Sequence, residues 1–105
     1  MIVVVGRVST DPSKRAQLIE VAHKVVAASR EEAGCIKYGV FEDTEHPNEF
    51  VFVEEWEGPE ALQRHFGTPH IAEFMQAIPG VITAPPDVKF HEIASTRDLS
   101  QVGAG

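Results

Sequence analysis

Phe50-Val51-Phe52-Val53-Glu54-Glu55-Trp56 is the stretch on which the reading of this chain turns. β-Branched and aromatic side chains at a period of two predict a strand over residues 49–57. In it Phe52, Glu54 and Trp56 project from one face while Val51, Val53 and Glu55 project from the other. An antiparallel strand with one wet face alternates apolar with polar residues, and this one carries apolar side chains on both. The first strand, read over residues 2–8 as Ile2-Val3-Val4-Val5-Gly6-Arg7-Val8, repeats the pattern. A sheet built on these two strands needs cover on both sides.

Outward from these strands, Ser9-Thr10-Asp11-Pro12 ends the first, with Asp11 placed as a helix N-cap and Pro12 at the first helical position. Leu18, Ala22, Val25, Val26 and Ser29 then follow i, i+4, i+7, i+8, i+11, which predicts a long amphipathic helix closed by Gly34 in a left-handed conformation. Residues 35–44 carry Ile36, Tyr38 and Val40 on one parity and form the second strand, and Glu45-His46-Pro47-Asn48 turns the chain into the third. A short helix is expected over 59–66. Thr68-Pro69 restarts it, and Ile71, Phe74, Met75 and Ile78 match i, i+3, i+4, i+7 before Pro79-Gly80. A last strand is read over 87–94, leaving 95–105 as a loose tail or a partner-contacting arm.

The order strand, helix, strand, strand, helix, strand is the split βαβ, or ferredoxin-like, arrangement: an α+β fold with a four-stranded antiparallel sheet and helices on one face. Helices on one face leave the other apolar face open. The expected cover is a second copy of the chain, as a two-fold homodimer.

Bulk composition narrows the partners. A chain of 105 residues is one domain, read here as residues 1–94 plus the tail. Lys and Arg number 9 against 16 Asp and Glu, a net charge of -7 that disfavours nucleic acid and anionic membrane surfaces. The apolar run Met1 to Val5 is too short for a membrane span or a signal core, and the single cysteine, Cys35, leaves no internal disulfide. A cytoplasmic location is the expectation.

Three blocks stand in order: Glu32-x-Gly34-Cys35-x-x-Tyr38, then Phe50-x-x-x-Glu54-x-Trp56, then Ala61-Leu62-x-x-His65-x-x-Thr68-Pro69-His70. Their spacing resembles the antibiotic biosynthesis monooxygenase family, which includes small quinol monooxygenases, and the resemblance runs from about residue 2 to residue 94. It implies a ferredoxin-like dimer whose two sheets close into an α+β barrel, with a pocket between each sheet and its own helices. It also implies relatives that degrade haem or isomerise a phosphorylated metabolite. The haem branch calls for an asparagine and a histidine where this chain carries Gly6 and about Met75, and the isomerase for cavity cations, for which only Lys37 and Arg64 are near.

The activity implied is oxygenation of a quinol-like or polycyclic phenolic substrate by dioxygen without metal, flavin or other cofactor. Such chemistry asks for a dry cavity, a base for the phenolic proton and hydrogen-bond donors for the oxygens. His65, beside Leu62 and Phe66 on the sheet-facing stripe of the first short helix, is the candidate base, its imidazole titrating ordinarily at about 6.5; it serves equally as a packed histidine bonded to a backbone carbonyl. Trp56 is the candidate stacking wall or a core residue. Tyr38 and His70 are candidate polar contacts, Phe74 and Met75 core side chains that also line a cavity. Glu54, in an apolar row, is expected to pair with Arg64 or Arg7 or to contact substrate. No metal site is expected, since the five histidines show no pair and carboxylate arranged as on a metal-binding helix. The alternative reading is a non-catalytic dimer that holds a small aromatic or serves in stress response.

Overall fold

The computed structural model describes residues 1–103. Its strands are β1 (Ile2–Ser9), β2 (Cys35–Glu42), β3 (Glu49–Trp56) and β4 (Asp87–Glu92). The helices are α1 (Arg15–Arg30), α2 (Pro59–Phe66), α3 (Pro69–Ala77) and a final turn α4 (Leu99–Val102). The four strands form one sheet in the order β2-β3-β1-β4, every neighbouring pair antiparallel. This is the ferredoxin-like α+β arrangement.

The long helix keeps the face its spacing predicts: Leu18, Ala22, Val25, Val26 and Ser29 are its buried residues. It begins later than expected. Asp11 caps a 3-10 turn (Pro12–Lys14), accepting from the Ser13 N–H at 2.8 Å, and the α-helix proper starts at Arg15. Gly34 is left-handed, with φ 86°, but stands past the helix end, where it turns the chain into β2. A Cβ there would sit 2.4 Å from that of Ala61, so the turn also sets how closely α2 approaches.

β1 and β3 bury their even-numbered residues under the helices. Val3, Val5, Val51 and Val53, on the opposite parity, are half-buried, and Phe41, paired with Val51, is exposed. This second face has no helix on it, as the strand pattern implies.

β2 departs from the simple alternation. Cys35 pairs with Trp56 and Lys37 with Glu55, so Ile36 is the extra residue of a bulge and turns outward, while Tyr38 faces the core opposite Glu54. Met75, read as core, is exposed because α3 sits at the open end of the helical layer, where β4 lies uncovered. The tail is not wholly loose. Asp98 and Gln101 form a capping box on α4, whose Leu99 and Val102 stay exposed; Ala104 and Gly105 lie outside the described residues. Among the described residues no helix is long and apolar enough to cross a membrane.

Candidate active site

Two neighbouring helix ends and a turn more than thirty residues before them meet at one carboxylate. Glu32 lies in the α1–β2 turn, His65 in the last turn of α2 and His70 in the first turn of α3. Nδ1–H of His65 donates to Glu32 Oε2 at 2.6 Å, and Nε2–H of His70 donates to the same oxygen at 2.7 Å. The link between the two short helices is itself fixed: the Thr68 hydroxyl donates to the His65 carbonyl at 2.7 Å and accepts from the Ile71 N–H at 3.4 Å.

The Glu32 bond sets the His65 tautomer. With the proton on Nδ1 held by a carboxylate, Nε2 carries the lone pair, and among the described residues no hydrogen bond reaches it. Only 1 % of His65 is exposed, and its ring packs 4.6 Å from the Trp56 ring and 5.5 Å from the Tyr38 ring.

His65 lines a cavity of about 300 Å³ enclosed by β1, β3, β4 and the short helices. Of the expected site residues, Tyr38, Glu54, His65 and Phe74 all line it, Phe74 in edge contact with Phe52 at 5.4 Å. The lining is otherwise apolar, including Val4, Ile71, Met75 and Ile78, with Gly6 leaving room where a side chain would fill it.

Trp56 and His70 stand elsewhere. Trp56 is fully buried behind the lining, where its indole Nε1–H donates to Glu54 Oε1 at 3.0 Å; it offers no face to the cavity. His70 faces a small gap between α1 and α3 and acts on the site through Glu32. The expected arginine partner of Glu54 is also corrected: Arg7 is on the outward parity of β1 and Arg64 is exposed on α2, and the buried carboxylate is served by the indole instead. Lys37 and Arg64, the cations an isomerase would need, do not line the cavity.

Burial sets the roles of the two other polar groups. Desolvation raises the Glu54 carboxyl above its ordinary 4.5 against the opposing pull of the Trp56 N–H and of His65. Desolvation and the adjacent Glu54 push the Tyr38 phenol far above its usual range, so Tyr38 keeps its proton and can donate a hydrogen bond but not act as a base.

Glu32, His65 and His70 are ligand types that could hold a metal, their atoms all within 4.8 Å of one another. Two of those separations are hydrogen-bond distances of 2.6 and 2.7 Å, whereas ligand atoms around tetrahedral zinc stand roughly 3.3 Å apart. As arranged, the cluster fits two shared protons better than an ion. Glu32 is the residue that sequence reasoning missed. It opens the first of the three blocks, but nothing local marks a carboxylate at a helix end as the partner of histidines more than thirty positions on.

A small α+β domain with a carboxylate-anchored histidine at the buried end of an apolar cavity is thus defined by fold and site together. The chain belongs to the antibiotic biosynthesis monooxygenase family, whose model matches residues 1–77. It is 37% identical over 98 residues to the uncharacterized protein sll1783 of Synechocystis, covering 93% of this chain and 67% of that protein. It is 28% identical over 90 residues to YgiN of Escherichia coli, which bears the name "probable quinol monooxygenase", covering 76% of this chain and 86% of YgiN. A solved structure from Deinococcus radiodurans carrying the family's name superposes with a TM-score of 0.87 at 24% identity, over 93% of this chain and 97% of that one, which supports the fold. Family membership and monooxygenase-named relatives support a monooxygenase-like function.

Proposed function

We propose that the chain is a cofactor-independent monooxygenase of quinol-like or polycyclic phenolic substrates, with His65 as the general base. The observation that carries this reading is a histidine in the lining of an apolar cavity whose Nδ1 is held by Glu32 and whose Nε2 has no hydrogen-bond partner among the described residues. Singlet organic molecules react slowly with triplet dioxygen unless they first give up an electron, and a phenolate does so far more readily than a phenol. Nε2 takes the phenolic proton, the Tyr38 hydroxyl donates to an oxygen of the ring, and the apolar walls keep water from the ionised substrate. A phenol and dioxygen then yield a quinone and water: one oxygen atom enters the ring, the other leaves as water, and the substrate supplies all four electrons.

The name borne by YgiN and the apolar lining both favour an aromatic substrate. The apolar outer face of the sheet favours a homodimer, with a second copy as its cover, and the single cysteine, Cys35, accords with a cytoplasmic setting. Protein treated with chelator and free of flavin is expected to consume oxygen with a hydroquinone, and His65→Ala to slow that uptake by more than about tenfold. An unchanged rate would remove His65 from the mechanism. Tight aromatic binding with no oxygen uptake would instead favour a non-catalytic binding dimer.

A further inference from the structure

The few polar groups of the cavity, Tyr38, Glu54 and His65, all lie deep, among buried apolar residues such as Val4, Phe52 and Ile71, and its mouth is apolar. Tyr38, Glu54 and His65 are 4, 9 and 1 % exposed, whereas Phe66, Met75, Val88 and Phe90, which line the same cavity, are 45, 54, 45 and 51 % exposed. Ligand sites are mostly apolar with a few polar groups that fix orientation, so a rim that keeps large apolar side chains in water needs a ligand with an apolar part to cover it. Here four large apolar side chains stay half in water around the mouth, the Phe66 and Phe90 rings in tilted contact with centroids 6.0 Å apart. A molecule complementary to this gradient is amphiphilic and enters head first. Its hydrogen-bonding aromatic head reaches Tyr38, Glu54 and His65, and its aliphatic part lies along the rim and removes that apolar surface from water.

We propose that the cavity takes phenolic or quinol ligands bearing an aliphatic chain that leaves through this mouth. The head of the ligand rests on the reading of the site given above; the chain rests on the rim alone. The same chemistry is offered by a soluble alkylphenol and by a chain-bearing quinol held in a bilayer.

Calorimetric titration with para-alkylphenols, from phenol to hexylphenol, tests the proposal without requiring turnover. A methylene moved wholly out of water is worth about fourfold in affinity, so a rise of roughly twofold to fourfold per carbon is expected until the chain clears the rim. In Met75→Gln and in Phe90→Ser the rise should flatten to below about 1.5-fold per carbon, because the chain then lies against polar side chains. A flat series in the wild-type protein, or a slope that survives both substitutions, overturns the proposal. Should Phe90→Ser fail to fold, Met75→Gln decides, since Met75 is exposed on α3. Chain-dependent binding without oxygen uptake would sink the monooxygenase reading and leave this one standing; oxygen uptake with a flat series would do the opposite. Cosedimentation with neutral phosphatidylcholine vesicles loaded with pentadecylphenol, and not with empty ones, assigns a bilayer source. Binding of hexylphenol without cosedimentation assigns a soluble one.

Discussion

Two imidazoles donating to a single oxygen of Glu32 make that carboxylate the residue on which the site's geometry depends. Without it, the His65 ring can rotate and exchange tautomers, and Nε2 no longer points its lone pair reliably at the cavity. Glu32→Ala is expected to lower kcat for quinol oxidation by on the order of 100-fold, within the range of general-base contributions, with a small change in KM; steady-state oxygen uptake checks both. Glu54 makes a different prediction. Its carboxyl is raised above the ordinary 4.5, so the folded state binds the proton more tightly than the unfolded chain does. Stability from this group is present below about pH 4.5 and is lost as pH rises through the folded value. Glu54→Gln keeps an acceptor for the Trp56 N–H and removes the charge. It should therefore melt several degrees higher than wild type at pH 7, at roughly 4–8 °C per kcal/mol, with the difference vanishing near pH 4; equal melting points at pH 7 would refute a desolvated carboxylate. At this scale strand parity and helix spacing bring His65, Tyr38, Glu54 and Phe74 to the cavity lining. They do not show Glu32, or that Trp56 and His70 stand outside the lining, because which long side chain meets which is decided by tertiary approach and not by a local period.

Among the elements, α1 is the most legible, since a five-residue stripe at helical spacing has one geometric solution and the structure buries that stripe. The bulge at Ile36 is the least. A two-against-one pairing shifts parity within β2, and an alternating apolar run reads the same with or without it. The consequence is functional, because the shift is what lets Tyr38 face the cavity while Cys35 still pairs with Trp56. Gly34 joins the same elements. Gly34→Ala places a side chain at φ 86° and a Cβ 2.4 Å from Ala61, so the α1–β2 turn and α2 must part. A loss of about 2–4 kcal/mol is expected in urea unfolding, from left-handed strain and overpacking together. A loss below about 0.5 kcal/mol, the usual size of a neutral surface change, would show that the close approach is not required.

For the molecule as a whole, the double-sided strands carry the largest inference. Helices cover one face of the sheet, while Val3, Val5, Val51, Val53 and Phe41 form an apolar strip on the other. Analytical ultracentrifugation at micromolar concentration is expected to give twice the chain mass. Val53→Asp, at the centre of the strip, should shift the particle towards a monomer, and a wild-type monomer would end the dimer reading. The four-stranded fold is readable from the order of strand and helix patterns, whereas the apolar mouth of the cavity is not, because depth below the surface has no signature in a one-dimensional pattern.

The lone cysteine carries one more consequence. Burial, aided by the nearby Glu32 and Glu54 carboxylates, holds the Cys35 thiol above its usual range. A sulfur that keeps its proton is a poor nucleophile toward peroxide. We expect slow iodoacetamide labelling at neutral pH, and thus a thiol that stray peroxide would leave reduced; rapid labelling would contradict this.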